Sequence, residues 1–471
     1  MTFTHSRRDF FLGLGGAAVL GATATGFAGG CTTEDTASVQ DPIWSDASQT
    51  SAVSVSLPNG AQISGTCAPA WRPVLDAFVA NFRDRNEIGA SLALTIQGKP
   101  IVDVWGGFSD TLAATPSKPW TRDTVSLVFS CTKAATALCA HHLIGQGLLD
   151  LDKPVAFYWP EFAQAGKSAV TVRMLMAHAA GLAAIPFTTP VRPDGWADFE
   201  YMAGLLAATT PWWQPGTTNG YHALTYGWLV GEVVKRVSGL SLGTYFASQI
   251  AGPLGMDFWI GLPDAVLPRV SPMLAATEVA PNDPFSAAIA ADPTSLQAAA
   301  FFNLGGWFGV PPSSPPEYNT TASLKAEIGA AGGVTNARGL ATMYAALANG
   351  GALGKVRLLP EAYAAQLGVI RAATFLDHTL LVSTRFGLGV HGAIDNRTIG
   401  PGQSVILGPH AFGHGGFGGS LGFADPSSQL SFGYTMNRMG AGAGLNDRGQ
   451  SLVDATYGVL GATTNQFGVW V

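Results

Sequence analysis

Val125-Ser126-Leu127-Val128-Phe129-Ser130-Cys131-Thr132-Lys133-Ala134-Ala135 is the stretch around which the rest of this 471-residue chain is organised. A serine hydroxyl is a weak nucleophile until a neighbouring base takes its proton. Residues three apart on a helix lie on one face, one turn apart. A helix starting at Ser130 therefore sets the Lys133 amine beside the Ser130 hydroxyl. The same start leaves backbone N–H groups unpaired around Ser130, where the helix dipole favours developing negative charge. Eight lysines and 30 serines make roughly half a chance match to this spacing in a chain of such length. The four residues are half a site, and the surrounding chain has to decide.

Composition narrows the choice. With 47% hydrophobic and 12% charged residues the chain can bury a large ordered core. The 59 glycines and 29 prolines point to turns and long connections rather than a helical bundle. Net charge is −6 and no basic cluster follows Arg8, which argues against nucleic-acid binding. Four cysteines, Cys31, Cys67, Cys131 and Cys139, show no CxxC and no metal spacing, so neither metal nor cofactor is expected. Cys131 and Cys139 read as buried thiols.

Ser6-Arg7-Arg8-Asp9-Phe10-Phe11-Leu12 reads as a twin-arginine export signal, followed by an apolar, glycine-rich run from Gly13 to Phe27. Ala28-Gly29-Gly30-Cys31 resembles a lipoprotein cleavage box, with Ala28 where leucine is usual and Cys31 as the acylated residue. Residues 1–30 are thus expected to be a signal peptide. The mature chain is expected in the cell envelope, held to the membrane by a lipid on Cys31, or otherwise periplasmic or secreted.

Residues 31–65, rich in Ser, Thr, Ala, Asp and Gln, read as a flexible tether, and 66–471 as one catalytic body. Val74, Leu75, Phe78, Val79 and Phe82 recur at helical spacing over 71–84. Alternation over 92–96 and 101–105, around Gln97-Gly98-Lys99-Pro100, reads as a hairpin. Helical patterns follow at 132–146, 172–178, 199–208, 222–237, 242–250 and 336–349. Residues 280–316 have weak periodicity and read as a long excursion walling a pocket. Strand signals return at 380–384, 386–390, 412–416 and 430–436, before a last helix at 451–460. The expected fold is α+β. An antiparallel sheet is built from about 66–129 and 330–471 and flanked by helices, with a helical subdomain at about 130–329 inserted between its halves.

Two further stretches stand out: Pro215-Gly216-Thr217-Thr218-Asn219-Gly220-Tyr221-His222-Ala223, and Phe412-Gly413-His414-Gly415-Gly416-Phe417. With Ser130-x-x-Lys133, Tyr221-His222-Ala223 and His414-Gly415-Gly416 in this order, the chain resembles the class C β-lactamase and penicillin-binding-protein-like serine hydrolases. It looks most like the family VIII carboxylesterases among them. Met176-Ala177-His178-Ala179-Ala180-Gly181-Leu182 and Pro253-Leu254-Gly255-Met256 agree with that resemblance, which covers about 71–460. It implies Ser130 as nucleophile, Lys133 as its proton-accepting neighbour and Tyr221 as second base. A nearby ammonium would favour the Tyr221 phenolate. Which of the two takes the Ser130 proton stays open, because the pair titrates as one unit. The implied oxyanion donors are the N–H groups of Ser130 and Phe417, with Gly415 and Gly416 letting the strand come close.

Two departures shift the expected substrate. His414-Gly415-Gly416 stands where a β-lactamase carries Lys-Thr-Gly, and His414 is at most a partly charged donor near neutral pH. Ala223 stands where lactamases and peptidases place a polar residue that binds an amide. Both losses weaken recognition of lactams and peptides and leave ester cleavage intact. The expected activity is a serine carboxylesterase acting on small-molecule esters. A β-lactamase or D-Ala peptidase-type envelope enzyme is the alternative, and a non-catalytic binding module the third reading. Gly418-Gly419-Ser420-Leu421-Gly422 and Gly239-Leu240-Ser241-Leu242-Gly243 match the G-x-S-x-G elbow, but neither sits between a strand and a helix. His178 reads as structural, and His222, beside Tyr221, as a residue shaping the pocket.

Overall fold

A computed structural model describes residues 43–46, 48–113, 115–276, 282–309, 316–442, 444–465 and 469–471. The twin-arginine stretch and Cys31 lie outside these. The strands in chain order are β1 (Ser51–Ser56), β2 (Gln62–Cys67), β3 (Gly89–Ile96), β4 (Lys99–Gly107) and β5 (Val125–Leu127). Then come β6 (Phe258–Ile260), β7 (Val270–Ser271), β8 (Gly333–Thr335), β9 (Ala352–Leu353) and β10 (Val356–Arg357). The last are β11 (Ala372–Thr374), β12 (Thr384–Phe386), β13 (Phe412–Gly415), β14 (Leu421–Asp425) and β15 (Leu430–Met436).

Seven of them form an antiparallel sheet in the order β1-β2-β4-β3-β15-β14-β13. The two ends of the chain meet at its centre, where β15 pairs with β3 from Leu430↔Ile96 to Met436↔Ala90. Side chains alternate across a strand, and β14 and β15 use that alternation. Phe423 and Phe432 stack on one face, with Tyr457 of the helix Asp447–Val459 beyond them. The partners Gly422 and Gly433 face the other way. A Cβ on Gly433 would sit 2.2 Å from the Ala337 carbonyl, and one on Gly422 2.4 Å from the Tyr344 ring. Glycine at these two points lets the helix Ala337–Ala348 lie directly on the sheet. The helix Arg72–Asp84 packs against Asp447–Val459. The α+β architecture with helices around an antiparallel sheet is as expected.

The tether reading of 31–65 fails from Ser51 onward. Ser51–Ser56 and Gln62–Cys67 are the edge hairpin of the sheet, in register from Ser51↔Cys67 to Ser56↔Gln62. An edge strand exposed on one side needs few apolar residues, and only Val53 and Val55 of β1 pack against the core. The inserted segment is mainly helical but also carries β6 and β7, which join β8 and β5 in a second sheet of order β6-β8-β5-β7. The excursion over 280–316 contains the helices Pro284–Ala291 and Leu296–Phe302. Their Ala-rich, uncharged sequence hides the helical period. Of the expected strands at 380–384 and 386–390, only Thr384–Phe386 pairs, with Ala372–Thr374.

Candidate active site

The strand β5 runs into a single 3-10 turn, Phe129–Cys131, and then the helix Thr132–Gly145. The helix therefore starts two residues later than the motif suggests, and Ser130 sits in the turn that leads into it. Nearly every side chain from Thr132 to Leu143 is buried, as befits an apolar, alanine-rich helix inside the molecule. The turn is tied at both ends: Thr132 Oγ1 donates to the Phe129 carbonyl at 2.5 Å and accepts the Gly333 N–H at 2.8 Å. Phe129 has φ +42°, a left-handed conformation that a phenylalanine adopts only under constraint. Its ring is packed edge-on against Trp307, Tyr318 and Phe417 and parallel to Phe308. Those four rings hold the strained residue in place, and Ser130 follows it partly exposed.

Lys133 is completely buried without a carboxylate partner among the described residues. Its Nζ lies 3.1 Å from Ser130 Oγ, 2.6 Å from the Ala223 carbonyl and 3.0 Å from the Ala330 carbonyl. Burial drives its pKa well below the usual lysine value. A neutral amine has two N–H donors and one lone pair. The two carbonyls take the donors, and the lone pair is left facing the Ser130 hydroxyl.

Tyr221 also stands within hydrogen-bonding reach of Ser130. Lys133 Nζ lies over the Tyr221 ring, 4.7 Å from its centre, rather than at its oxygen. Burial raises the Tyr221 pKa above that of a free phenol. The expected phenolate is thus reversed, because all three bonding directions of the amine are spent elsewhere and burial disfavours the anion. The ring is stacked on Phe386 at 5.8 Å and lies 5.1 Å from His178.

His178 is structural, as expected, whereas His222, expected to shape the pocket, is not among the described residues that line the cavity. His178 Nδ1 accepts the His222 N–H at 3.1 Å, and His222 Nε2 accepts the Leu182 N–H at 3.1 Å. Asp377 is a residue that the sequence reading missed. Its fully buried carboxylate accepts the Tyr221, Thr379 and Leu380 N–H groups at 2.9 Å. Its other oxygen accepts Asn219 Nδ2 and Thr384 Oγ1, both at 3.1 Å. Burial raises its pKa, and these donors oppose that rise. No local signal marks a single aspartate in an irregular loop.

The third expected stretch closes the site. A Cβ on Gly416 would lie 2.2 Å from the Val128 carbonyl, so glycine is what lets the end of β13 approach the Ser130 turn. The Gly415 N–H is held by His391 Nε2 at 3.0 Å, and the Gly416 N–H donates to the Ser420 carbonyl at 2.7 Å. Neither the Ser130 N–H nor the Phe417 N–H donates to another described residue. His414 is buried, and its Nδ1–H donates to the Gly415 carbonyl at 2.7 Å. Burial and its histidine and lysine neighbours push its pKa well down. It is a neutral ring whose Nε2 carries a lone pair, not the partly charged donor that the sequence suggested. Ser420 is fully buried and Ser241 caps a short helix, so neither is a nucleophile elbow.

Ser130 and Tyr221 open into a cavity of about 560 Å³. Phe285, Ile289, Phe301 and Phe308 from the 282–309 excursion wall one side, as the sequence suggested. Trp307 stays in the core, its indole N–H on Ser323 at 2.6 Å. Among the described lining residues none is Lys or Arg. No group of His, Cys, Asp and Glu among the described residues could hold a metal ion.

The beta-lactamase family model matches residues 75–456. Esterase/beta-lactamase LipL of Mycobacterium tuberculosis is 35% identical over 384 residues, 81% of this chain and 84% of its own length. The crystal structure of a family VIII carboxylesterase superposes with a TM-score of 0.72 at 37% identity, covering 84% of this chain and 99% of that one. A penicillin-binding protein homologue from Caulobacter crescentus gives 0.71 at 36% identity, with the same coverage of both chains.

Proposed function

This chain belongs to the beta-lactamase family and is a serine hydrolase, and we propose that it cleaves carboxylic esters of apolar acyl groups through an acyl-enzyme on Ser130. The observation that carries the ester reading is the cavity: apolar, contiguous with Ser130, and free of Lys and Arg among its described lining residues. A lactam or a peptide terminus brings a carboxylate that such a wall leaves unpaired. An uncharged ester needs no cation, and the resemblance to a family VIII carboxylesterase and to an esterase/beta-lactamase supports the same choice.

In this reading each step falls to a named residue. The Lys133 lone pair takes the Ser130 proton as Oγ attacks the ester carbonyl. The oxyanion falls to the Ser130 and Phe417 N–H groups. The tetrahedral adduct then expels the alkoxide, which takes the proton that Lys133 carries, while the Tyr221 hydroxyl, within reach of Ser130, donates a hydrogen bond to the departing oxygen. Water enters, gives a proton to the same Lys133–Tyr221 pair and attacks the acyl carbon, and Ser130 leaves with its proton restored. Replacing Ser130 by Ala should abolish hydrolysis of 4-nitrophenyl butyrate. Persistence of that activity would sink the mechanism. Nitrocefin hydrolysed faster than the butyrate would favour the lactamase reading instead.

Export through Arg7-Arg8 and acylation of Cys31 belong to the same proposal, on the strength of the N-terminal motif alone. Lysine at both arginine positions should block export; unchanged export would overturn it.

A further inference from the structure

The hairpin from Ala372 to Phe386 reaches both the site and the solvent. Leu380, Val382, Ser383, Thr384 and Phe386 line the cavity, while Asp377 fixes Tyr221. At the tip, Phe375 is 95% exposed and its neighbour Leu376 61% exposed. Single exposed apolar residues are ordinary, but two large ones side by side on a fixed tip are not. Ser383 Oγ donates to the Phe375 carbonyl at 3.2 Å and the Leu376 N–H to Thr374 Oγ1 at 3.2 Å. The Asp377 N–H donates to the Val382 carbonyl at 2.9 Å. The backbone is thus held while both side chains point outward.

The exposed charges that the hairpin and its first flanking residue carry are one-sided. Arg371 and Arg385 are exposed at its base, and neither has a carboxylate within ion-pair distance among the described residues. Arg385 stands opposite Ala373, two residues from Phe375. The hairpin's one carboxylate, Asp377, is buried. This local positive excess runs against the chain's net charge of −6. Esters with the apolar acyl groups that the cavity accommodates partition out of water.

We propose that this hairpin docks the enzyme on an anionic lipid surface: Phe375 and Leu376 enter the acyl layer, Arg371 and Arg385 meet the phosphates, and the adjoining cavity takes its ester from that layer. The inference rests on the ester-hydrolase reading and names where that substrate resides. It follows from one hairpin joining the wall of the cavity to an exposed apolar tip.

The test compares two presentations of substrate with the full chain and with the Phe375→Ser/Leu376→Ser double variant. One is 4-nitrophenyl palmitate in phosphatidylglycerol vesicles, the other dissolved 4-nitrophenyl butyrate. The double variant should lose at least about tenfold on the vesicles, since two large apolar side chains no longer enter them. It should stay within about twofold on the dissolved ester, because neither side chain reaches the cavity. Arg385→Gln should lower the vesicle rate with phosphatidylglycerol but not with phosphatidylcholine. Equal vesicle rates for wild type and double variant, with the dissolved ester still cleaved, would overturn the docking surface alone. Loss of dissolved-ester hydrolysis by the wild type would overturn the underlying activity. A wild-type dimer that the double variant abolishes in sedimentation would assign the tip to a second copy of the chain and likewise overturn the lipid assignment.

Discussion

Replacing Asp377 by alanine should cost both stability and turnover, although Asp377 itself is too buried to meet a substrate. Its carboxylate is the acceptor for five donors: three backbone N–H groups, Asn219 Nδ2 and Thr384 Oγ1. A stranded buried donor costs about 1–3 kcal/mol. Two effects reduce the total. Water can occupy the space left by the carboxyl group, and the desolvation that raises the pKa of this carboxylate is relieved. The net loss should be about 3–5 kcal/mol, a fall in Tm of roughly 3–8 °C for a domain of this size. Turnover should suffer more, because the Tyr221 N–H is among the five donors. A reacting group misplaced by about 1 Å loses on the order of 10²-fold. Asp377→Asn keeps one acceptor oxygen for the three N–H groups and turns an amide towards Asn219, so it should lose less than about tenfold. The assay is kcat on 4-nitrophenyl butyrate beside a thermal melt, for both variants. An Asp377→Ala enzyme with wild-type Tm and kcat would refute the reasoning.

Gly416→Ala pushes a methyl group into the Val128 carbonyl and should displace the Phe417 N–H, lowering kcat about 10²–10³-fold with KM little changed. Because Lys133 must be neutral to accept a proton and burial lowers its pKa, kcat/KM should rise with pH along a limb well below the ordinary lysine value and then level off. Lys133→Arg, which cannot deprotonate, should remove the activity at every pH. Acid should unfold the protein through its histidines. Burial holds His141, His222 and His391 at about 4 in the folded state, against 6.5 when free. The unfolded chain therefore binds the extra protons: stability is full above about pH 6.5 and falls by up to about 4 kcal/mol per pH unit towards pH 4. Denaturant melts across that range check the slope.

The parts of the site that a short pattern can carry were legible in the sequence. Ser130 and Lys133 meet because three residues make nearly one helical turn, and Gly416 declares a close approach by lacking a side chain. The helices 72–84 and 199–208 announce themselves by apolar spacing. What stayed hidden depends on contacts between distant segments. Asp377 binds Tyr221 across 156 positions of sequence, and nothing near either residue signals it. The Tyr221 charge was misjudged because the partners of Lys133 are the backbone carbonyls of Ala223 and Ala330, and carbonyls leave no mark in a sequence. His414 was misjudged for the same reason, since the Gly415 carbonyl and burial set its tautomer and charge. The hairpin β1–β2 escaped notice because an edge strand with one solvated face needs only Val53 and Val55.

Covalent labelling by a fluorophosphonate, mapped by peptide mass spectrometry, tests the central claim most directly. One adduct per chain, on the peptide carrying Ser130, with parallel loss of ester hydrolysis, is the predicted result. An adduct at Ser241 or Ser420, or continued hydrolysis by a fully labelled enzyme, would contradict it.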